Sequence, residues 1–556
     1  MTPSDIAETE ARVAACLAGI ERRDYAEALR VGLQILAADA GHRAGIHIVG
    51  LAHLRLNDPE QALPLLEDVL RANPRNGLVQ WQLAQALQAI GEPARALIHF
   101  DAAEALGIVD TQLQEQRFDT ALQLFTKAGD WAQYDRAQRL VRQSVLASTR
   151  WVVGEHALAS PYFSNATLLH AAKNHAAAVI AQLPPMTAYQ HRAPSRKIRL
   201  GFVGCDFYEQ ATSYLTTGFI ESIDRDRFEV FAYEFGDEPP LTPYRRRVMQ
   251  AYDHFLSIRS LPDDDAAVRI HGDSIDVLFS IKNPASTRLG IFARRPAAIQ
   301  IHYLYYPGTS GMPFFDYLIA DDIVVPPQLE PAYVEKILRL PGCYQPNDSQ
   351  RPHARDIPRS NRALPEDALM LANFGQLYKL TPDLFDLWCG ILRRHPRCLL
   401  WLLSGDEPIR KRLRHQAAAR GVEPQRLIFT EHTDTQQHLD RLRQADLVLD
   451  TYPYGGHTLS SDALWAGTPV VTRCGETFAS RVAASLLASV GMSDLITSSE
   501  LEYVSKIDSL LQHPEQLRDW RRHLDEGRSS FTLFDSAAYA DKFEAAMSAL
   551  IERHWC

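Results

Sequence analysis

Cysteine is scarce in this 556-residue chain: Cys16, Cys205, Cys343, Cys389, Cys398, Cys474 and Cys556 are odd in number, far apart and never in a C-x-x-C pair. That pattern excludes a disulfide framework and a zinc knuckle and fits a reducing compartment. No run reaches the roughly 18 uninterrupted apolar residues of a membrane span. The segment from Met1 to Ile20 carries Asp5, Glu8 and Glu10 where a signal peptide would carry Lys or Arg, and it lacks a continuous apolar stretch. The expectation is a cytoplasmic protein with no membrane span, structured from close to its first residue. Positive charge is not in excess either. With 58 Lys+Arg against 68 Asp+Glu, a net charge of −10, the basic footprint of phosphate-backbone binding is missing and no nucleic-acid partner is expected. The chain has no G-x-x-x-x-G-K-[ST], which removes a P-loop ATPase, and no G-x-G-x-x-G behind a strand, which removes a dinucleotide oxidoreductase. Its 20 His include no H-E-x-x-H pair. Asp263-Asp264-Asp265 stand before a helical segment and read as an N-terminal charge cluster rather than metal ligands. No metal is assigned.

What is present is an ordinary globular composition, 46% hydrophobic and 23% charged, long enough for several domains. From about residue 10 to 107 the chain is rich in Ala, Leu, Gln and Arg at helical spacing. Asp24-Tyr25-Ala26-Glu27-Ala28-Leu29, Asp58-Pro59-Glu60-Gln61-Ala62-Leu63 and Glu92-Pro93-Ala94-Arg95-Ala96-Leu97 align, so Ala28, Ala62 and Ala96 recur every 34 residues. Gly50 matches Ala84, and Ala52 matches Ala86, small residues where two helices approach closely. This period resembles the tetratricopeptide repeat, whose helix pairs bury a shared face only by stacking on neighbours. Such arrays present a concave surface to an extended polypeptide, which implies a protein partner and no activity. Gln112 to Val145 and Ser164 to Gln182 continue helical without the period and read as atypical capping helices.

At Leu183-Pro184-Pro185 the helical pattern stops, and Gln190 to Lys197, containing Pro194, reads as a linker. Apolar runs then alternate with helical segments. Strands are expected at Ile198–Val203, Phe228–Phe235, Ile275–Ile281 and Ile299–Leu304, with helices near Thr212–Ser222, Asp264–His271 and Thr287–Ala293. Leu338 to Asn361 is turn-rich. The alternation restarts with strands at Ala368–Phe374, Cys398–Leu403, Leu427–Thr430, Leu447–Asp450 and Pro469–Arg473, and helices at Pro382–Arg394, Glu407–Arg420, Thr435–Ala445 and Thr458–Ala466. Buried strands alternating with helices make parallel sheets covered on both faces, and two such domains joined by a hinge bind ligand at the carboxyl ends of their strands.

Chemistry concentrates where Leu447-Val448-Leu449-Asp450 runs into Thr451-Tyr452-Pro453-Tyr454-Gly455-Gly456-His457-Thr458. Gly455 and Gly456 let backbone approach a ligand, and the helix opening at Thr458 offers free N–H groups and partial positive charge to a diphosphate. Asp462, one turn in, can accept bonds from a ribose diol. The same residues also serve an ordinary strand-to-helix turn with Thr458 as N-cap. A second turn, Gly475-Glu476-Thr477-Phe478-Ala479-Ser480-Arg481, follows the next strand and again opens a helix, which favours the ligand reading. Lys379, just past Asn373-Phe374-Gly375-Gln376-Leu377-Tyr378, can reach phosphates held by those turns and neutralise charge on a departing nucleoside diphosphate. A solvated surface lysine is the plainer alternative.

These segments, with Tyr306-Pro307-Gly308-Thr309-Ser310-Gly311, resemble the signature segments of O-GlcNAc transferases, especially the short bacterial homologues, from roughly Arg196 to Leu550. The resemblance implies an α plus α/β chain: tetratricopeptide-like repeats at 1–110, capping helices and linker at 111–190, then a GT-B glycosyltransferase of two Rossmann-like lobes at 191–360 and 361–556. It implies inverting, metal-independent transfer of a sugar, GlcNAc first, from a UDP donor to Ser or Thr hydroxyls of a polypeptide along the repeat groove, with no cofactor beyond the donor. Gln376 and Lys379 would contact the UDP phosphates, Lys379 acting in catalysis; His457 and Thr458 would hold the diphosphate, and Asp462 the ribose. His438 and Arg441 occupy uracil-side positions, with Thr435 replacing a lysine usual nearby. Gln210 replaces a histidine once proposed as general base, Ser280 stands where an aspartate is usual, and Leu459 replaces the second threonine of a His-Thr-Thr run. Neither Gln nor Ser takes a proton near neutral pH, so the acceptor's base is unassigned; mechanisms that use the donor's own phosphate survive these changes. The alternatives are a UDP-glucose-dependent N-glucosyltransferase acting on asparagine, a polysaccharide-directed transferase, and an interaction scaffold whose transferase domain has weakened.

Overall fold

A computed structural model describes residues 3–126, 128–147, 154–183, 189–191, 193, 196–282, 287–362, 364–365 and 367–555. Pro184, Pro185, Pro194 and Cys556 lie outside the described residues. The chain divides into two compact units, Met1–Ser144 and Val145–Cys556. Among the described residues no helix is long and apolar enough to cross a membrane.

The first unit is built of antiparallel helices, among them Tyr25–Ala38, Arg43–Arg55, Pro59–Ala72, Gly77–Ala89, Pro93–Ala105 and Thr111–Thr126. Asp24 caps the first of these by accepting from Glu27 N, and Pro59 and Pro93 sit in first turns, where a missing N–H costs nothing. The 34-residue register has a packing cause: Ala28, Ala62 and Ala96 are all fully buried. Ala52, Ala84 and Ala86 are fully buried too. A Cβ on Gly32 would lie 2.8 Å from Val49 Cγ2, and one on Gly50 would lie 3.2 Å from Leu65 Cβ. Larger residues would push these helix pairs apart and uncover the shared core of Leu66, Leu83, Leu87, Phe100 and Leu113.

The second unit holds two parallel sheets. The first contains β1 (Ile198–Gly204), β2 (Phe228–Glu234), β3 (His254–Ser257), β4 (Val277–Ser280), β5 (Ile299–His302), β6 (Tyr317–Ala320) and β7 (Lys336–Arg339) in the order β3-β2-β1-β4-β5-β6-β7. The second contains β8 (Leu369–Asn373), β9 (Cys398–Leu403), β10 (Leu427–Thr430), β11 (Leu447–Leu449), β12 (Val470–Arg473) and β13 (Ile496–Thr497) in the order β10-β9-β8-β11-β12-β13. Both orders reverse direction once, between β1 and β4 and between β8 and β11, the Rossmann pattern that opens a crevice at the strand ends. Strands β1, β2, β4, β5 and β8 to β12 fall where the sequence places them. Strands β3, β6, β7 and β13 were not anticipated. β3 and β7 are edge strands with exposed residues such as His254 and Lys336, and β13 is two residues long, so none of these three carries a continuous apolar run.

The helix Asn165–Ile180, which the sequence groups with the capping helices, gives Ala176 to the core of the first lobe beside Val203, Phe231 and Leu278. The final helix, Ser536–Trp555, crosses from the second lobe to pack on the first-lobe helix Ala211–Ser222. Phe219 lies 5.1 Å from Tyr539 and 5.3 Å from Phe543 between ring centroids, and the Tyr303 and Tyr539 hydroxyls bond at 2.6 Å. Asp263, Asp264 and Asp265 form the first turn of the helix Asp263–Gly272, where Asp263 pairs with Arg288 and Asp264 with Arg294. Helix dipole and arginine partners account for that cluster.

Candidate functional site

A cavity of about 1150 Å³ lies between the two lobes of the second unit, at the carboxyl ends of β8 and β11. Asn373, the last residue of β8, donates to the carbonyl of Leu449, the last residue of β11, at 2.7 Å and locks the two strand ends side by side. The loops leaving these ends carry the chemistry. Gln376, Lys379, His438, Arg441, His457, Thr458 and Asp462, far apart in sequence, all line this one cavity.

The helix Thr458–Trp465 begins without a side-chain cap, so its first N–H groups are unsatisfied within the helix and face the cavity with the positive end of the helix dipole. The turn before it is held from beneath by the buried Asp450, which accepts from Gly456 N at 2.5 Å, Thr451 N at 2.9 Å and Thr472 Oγ1 at 2.6 Å. A Cβ on Gly456 would lie 2.4 Å from Ser460 Oγ and 3.2 Å from Asp450 Oδ1. A side chain there would have to turn the Ser460 hydroxyl aside and would crowd the carboxylate that holds the turn. Burial, only partly offset by these donors, pushes the Asp450 carboxyl up to about 6.

Lys379 donates from Nζ to the Gly455 carbonyl at 3.0 Å and stands 3.5 Å above the Tyr454 ring centroid. Its cation is thereby placed against the turn that opens the helix. His457, the N-cap residue, lies 3.4 Å from the Ala479 carbonyl through Nε2. Burial and then the Lys379 charge push its imidazole down to about 3, so it is neutral near pH 7 and able to donate a hydrogen bond without adding charge. Farther along, Arg441 donates to the Glu431 carbonyl at 2.9 Å and lies over Phe374. His438 Nε2 stands 3.5 Å from Asp462 Oδ2. The result is a cationic, hydrogen-bonding end at Lys379 and Thr458, and at His438, Arg441 and Phe374 an end suited to a flat heterocycle.

Two sequence expectations are corrected. The second Gly-rich turn, 475–481, does not line the cavity. Arg481 turns away to the carbonyls of Ile323 and Gly475, both at 2.6 Å, and Thr477 and Ser480 bond each other. This turn acts as a buttress: the Ala479 carbonyl accepts from Gly455 N at 3.1 Å. Thr458 is the first helical residue, and the N-cap position belongs to His457. Gln210 and Ser280, which stand where the resemblance expects a histidine and an aspartate, do not line the cavity either. Gln210 is exposed and bonds the Tyr208 hydroxyl; Ser280 is fully buried at the end of β4.

The structure adds residues that the sequence did not point to. His156, whose ring centroid lies 4.7 Å from that of Tyr378, joins the cavity wall from ahead of the first lobe. Leu304, at φ 73°, adopts a left-handed backbone that is rare for a branched residue and borders the cavity beside Tyr305. Arg351, from the segment between the lobes, reaches Asp462 Oδ1 at 2.7 Å. Only a tertiary fold can bring Arg351 and Asp462 together, and no local signal marks them as partners.

The sequence profile of Glycosyl transferase family 41 matches residues 128–356 and 351–543. The chain belongs to this family. A tetratricopeptide repeat profile matches residues 53–107. The chain is similar to the Arabidopsis thaliana protein named probable UDP-N-acetylglucosamine–peptide N-acetylglucosaminyltransferase SEC. It is 34% identical over 436 residues, which are 75% of this chain and 44% of that one. The Caenorhabditis elegans UDP-N-acetylglucosamine–peptide N-acetylglucosaminyltransferase is 28% identical over 557 residues, 76% of this chain and 48% of that one. The chain thus spans less than half the length of these relatives. Among solved structures, a lysine-to-methionine mutant of the Thermobaculum terrenum O-GlcNAc transferase superposes with a TM-score of 0.68 at 24% identity, covering 100% of this chain and 99% of that one, which establishes the shared fold of repeats followed by two lobes.

Proposed function

We propose that this family 41 chain transfers a sugar, GlcNAc in the first instance, from a UDP donor to Ser or Thr hydroxyls of polypeptides. The observation that carries the reading is the convergence of Lys379, an uncapped helix start at Thr458, and the Asp462, His438 and Arg441 group on one cavity at the strand-order reversal of the second sheet. The names of the relatives supply the donor and acceptor classes.

In this reading the diphosphate sits against Thr458 and Lys379, the ribose against Asp462, and the uracil toward His438 and Arg441. Gln376, exposed beside Lys379, reaches the phosphates from the cavity rim. The acceptor oxygen attacks the anomeric carbon from the face opposite the phosphate, with inversion. The C–O bond to the diphosphate breaks, and its electron pair stays on the β-phosphate oxygen. Lys379 and the helix N–H groups stabilise the charge that develops there, which is where preorganised electrostatics lower a barrier most. His457 is too weak a base to take the acceptor's proton. The departing diphosphate takes it, in keeping with the positions of Gln210 and Ser280 off the cavity. The repeats of the first unit hold the acceptor polypeptide. No metal enters this scheme, so chelation by EDTA should leave turnover unchanged.

The test is incubation of the full chain with UDP-GlcNAc or UDP-glucose and a cell lysate, followed by mass mapping of modified side chains. GlcNAc on Ser or Thr is the expected product. Glucose on asparagine would replace the substrate assignment, and label confined to protease-resistant glycan would replace the acceptor class. UDP binding without turnover would identify a scaffold. Neither binding nor transfer with any donor would refute the reading.

A further inference from the structure

The segment joining the lobes is buried yet polar, and its polar groups are incompletely matched. Gln345 Nε2 and Arg351 Nη2 are both buried without a hydrogen-bond partner among the described residues, and both side chains border the cavity. Buried donors without partners are rare and mark places that a ligand or water completes. The rest of the Arg351 guanidinium is tightly placed. Nη1 donates to Asp462 Oδ1 at 2.7 Å, Nε faces the Asp348 carbonyl at 3.3 Å, and Cζ lies 4.9 Å from the Trp465 ring centroid and 5.7 Å from that of Phe534. Trp465 in turn donates to the Pro352 carbonyl at 2.8 Å, so the segment and the helix Thr458–Trp465 are fastened at two points three residues apart on the helix.

Asp462 is the anion with which this guanidinium forms its ion pair. Its other oxygen, Oδ2, faces His438 at 3.5 Å, beyond a normal hydrogen bond. A carboxylate has about four acceptor sites, so Asp462 fixed by one arginine arm keeps vacant lone pairs in a defined plane. Two vicinal hydroxyls are donors of matching geometry.

We infer that Arg351 is a positioning residue for the donor: through its bond to Asp462 it orients that carboxylate toward a ribose 2′,3′-diol, and thereby ties nucleotide recognition to the segment between the lobes. The inference rests on the UDP-donor reading above. It adds a residue that acts on the ribose rather than on the phosphates, and it gives the interlobe segment a role in selecting ribonucleotides. Because Asp348, three residues before Arg351, takes Arg247 of the first lobe at 2.6 and 3.0 Å, the carboxylate that reads the ribose is registered to the first lobe as well as to its own.

The test is calorimetric binding of UDP and of 2′,3′-dideoxyuridine 5′-diphosphate to the full chain and to R351Q and R351K. The wild-type chain should prefer UDP by about tenfold, as expected for hydrogen bonds to a charged group. R351Q should bring that preference close to one while binding the dideoxy compound within about twofold of wild type. R351K, which keeps the charge and N–H donors but not the planar guanidinium, should fall between. Equal loss of both ligands in the variants would show a merely structural residue and overturn the inference, as would an unchanged preference. Should R351Q not fold, R351K decides by the same ratio. Wild-type binding of UDP without any preference refutes this inference alone; wild-type failure to bind UDP refutes the donor reading and this inference with it.

Discussion

Asp450 lets the physics of the turn from Thr451 to Thr458 be checked without any substrate. Its carboxyl lies at the end of β11, buried under the turn it holds, and it accepts two backbone N–H groups and one hydroxyl. Burial outweighs those donors and the nearby Lys379 charge, and raises the carboxyl from its ordinary 3.8 to about 6. An acid raised in this way keeps its proton in the folded chain at a pH where the unfolded chain has lost it. Its contribution to stability is therefore fully present below pH 3.8 and is lost as pH rises through 6, a change of about 3 kcal/mol. D450N keeps an acceptor oxygen for Gly456 and Thr451, offers an amide to the Thr472 hydroxyl, and does not titrate. The stability difference between D450N and wild type should thus move by about 2.4 kcal/mol in favour of D450N between about pH 4 and pH 7, the unfolded carboxyl being already part-ionised at pH 4. Taking the difference cancels the other groups, including His457, whose lowered value works in the opposite direction: the unfolded imidazole binds its proton through 6.5 and the folded one only near 3, so acidification weakens the fold. Hydrogen exchange of the peptide spanning β11 and the following turn, corrected for intrinsic rates, measures the local free energy. A difference that stays constant with pH would refute the assignment of a desolvated carboxyl anchor beneath the turn.

Three further outcomes follow from the same geometry. K379M should lower kcat about 10²- to 10³-fold, the cost of removing one preorganised group from a developing anion, while the melting temperature changes far less; steady-state kinetics and calorimetry separate the two. In wild-type protein the His457 imidazole should show no NMR titration above about pH 5, and in K379M its titration should move upward because one of the two causes of its depression is gone. G456V should weaken UDP binding and leave the first unit folded, since a branched side chain beside Ser460 Oγ and Asp450 Oδ1 crowds the carboxylate that holds the turn; ligand-induced thermal shift reads the loss.

The parts of this molecule that could be read from sequence are those whose cause is local. Ala28, Ala62 and Ala96 announce a repeat because each is sealed between helices at the same place in successive pairs. β8, β9 and β11 read as apolar runs because both faces are covered, whereas β3 and β7, half in water at sheet edges, carry no such run. The Gly455-Gly456-His457-Thr458 turn was visible for the same reason: a strand end, flexible backbone and a helix start all lie within a few residues. The turn at 475–481 shows an equivalent local pattern yet faces elsewhere, because Arg481 answers to Ile323, 158 residues away. Arg351 was silent because its meaning lies in Asp462, 111 positions later. Local chemistry names candidate loops; tertiary partners decide which of them meet the cavity.

The most direct measurement is an experimental structure of the full chain at saturating UDP. The diphosphate should lie within hydrogen-bond distance of the Thr458 N–H and Lys379 Nζ, with the ribose at Asp462. Nucleotide bound away from the helix Thr458–Trp465, or a cavity left empty at saturation, would contradict the reading.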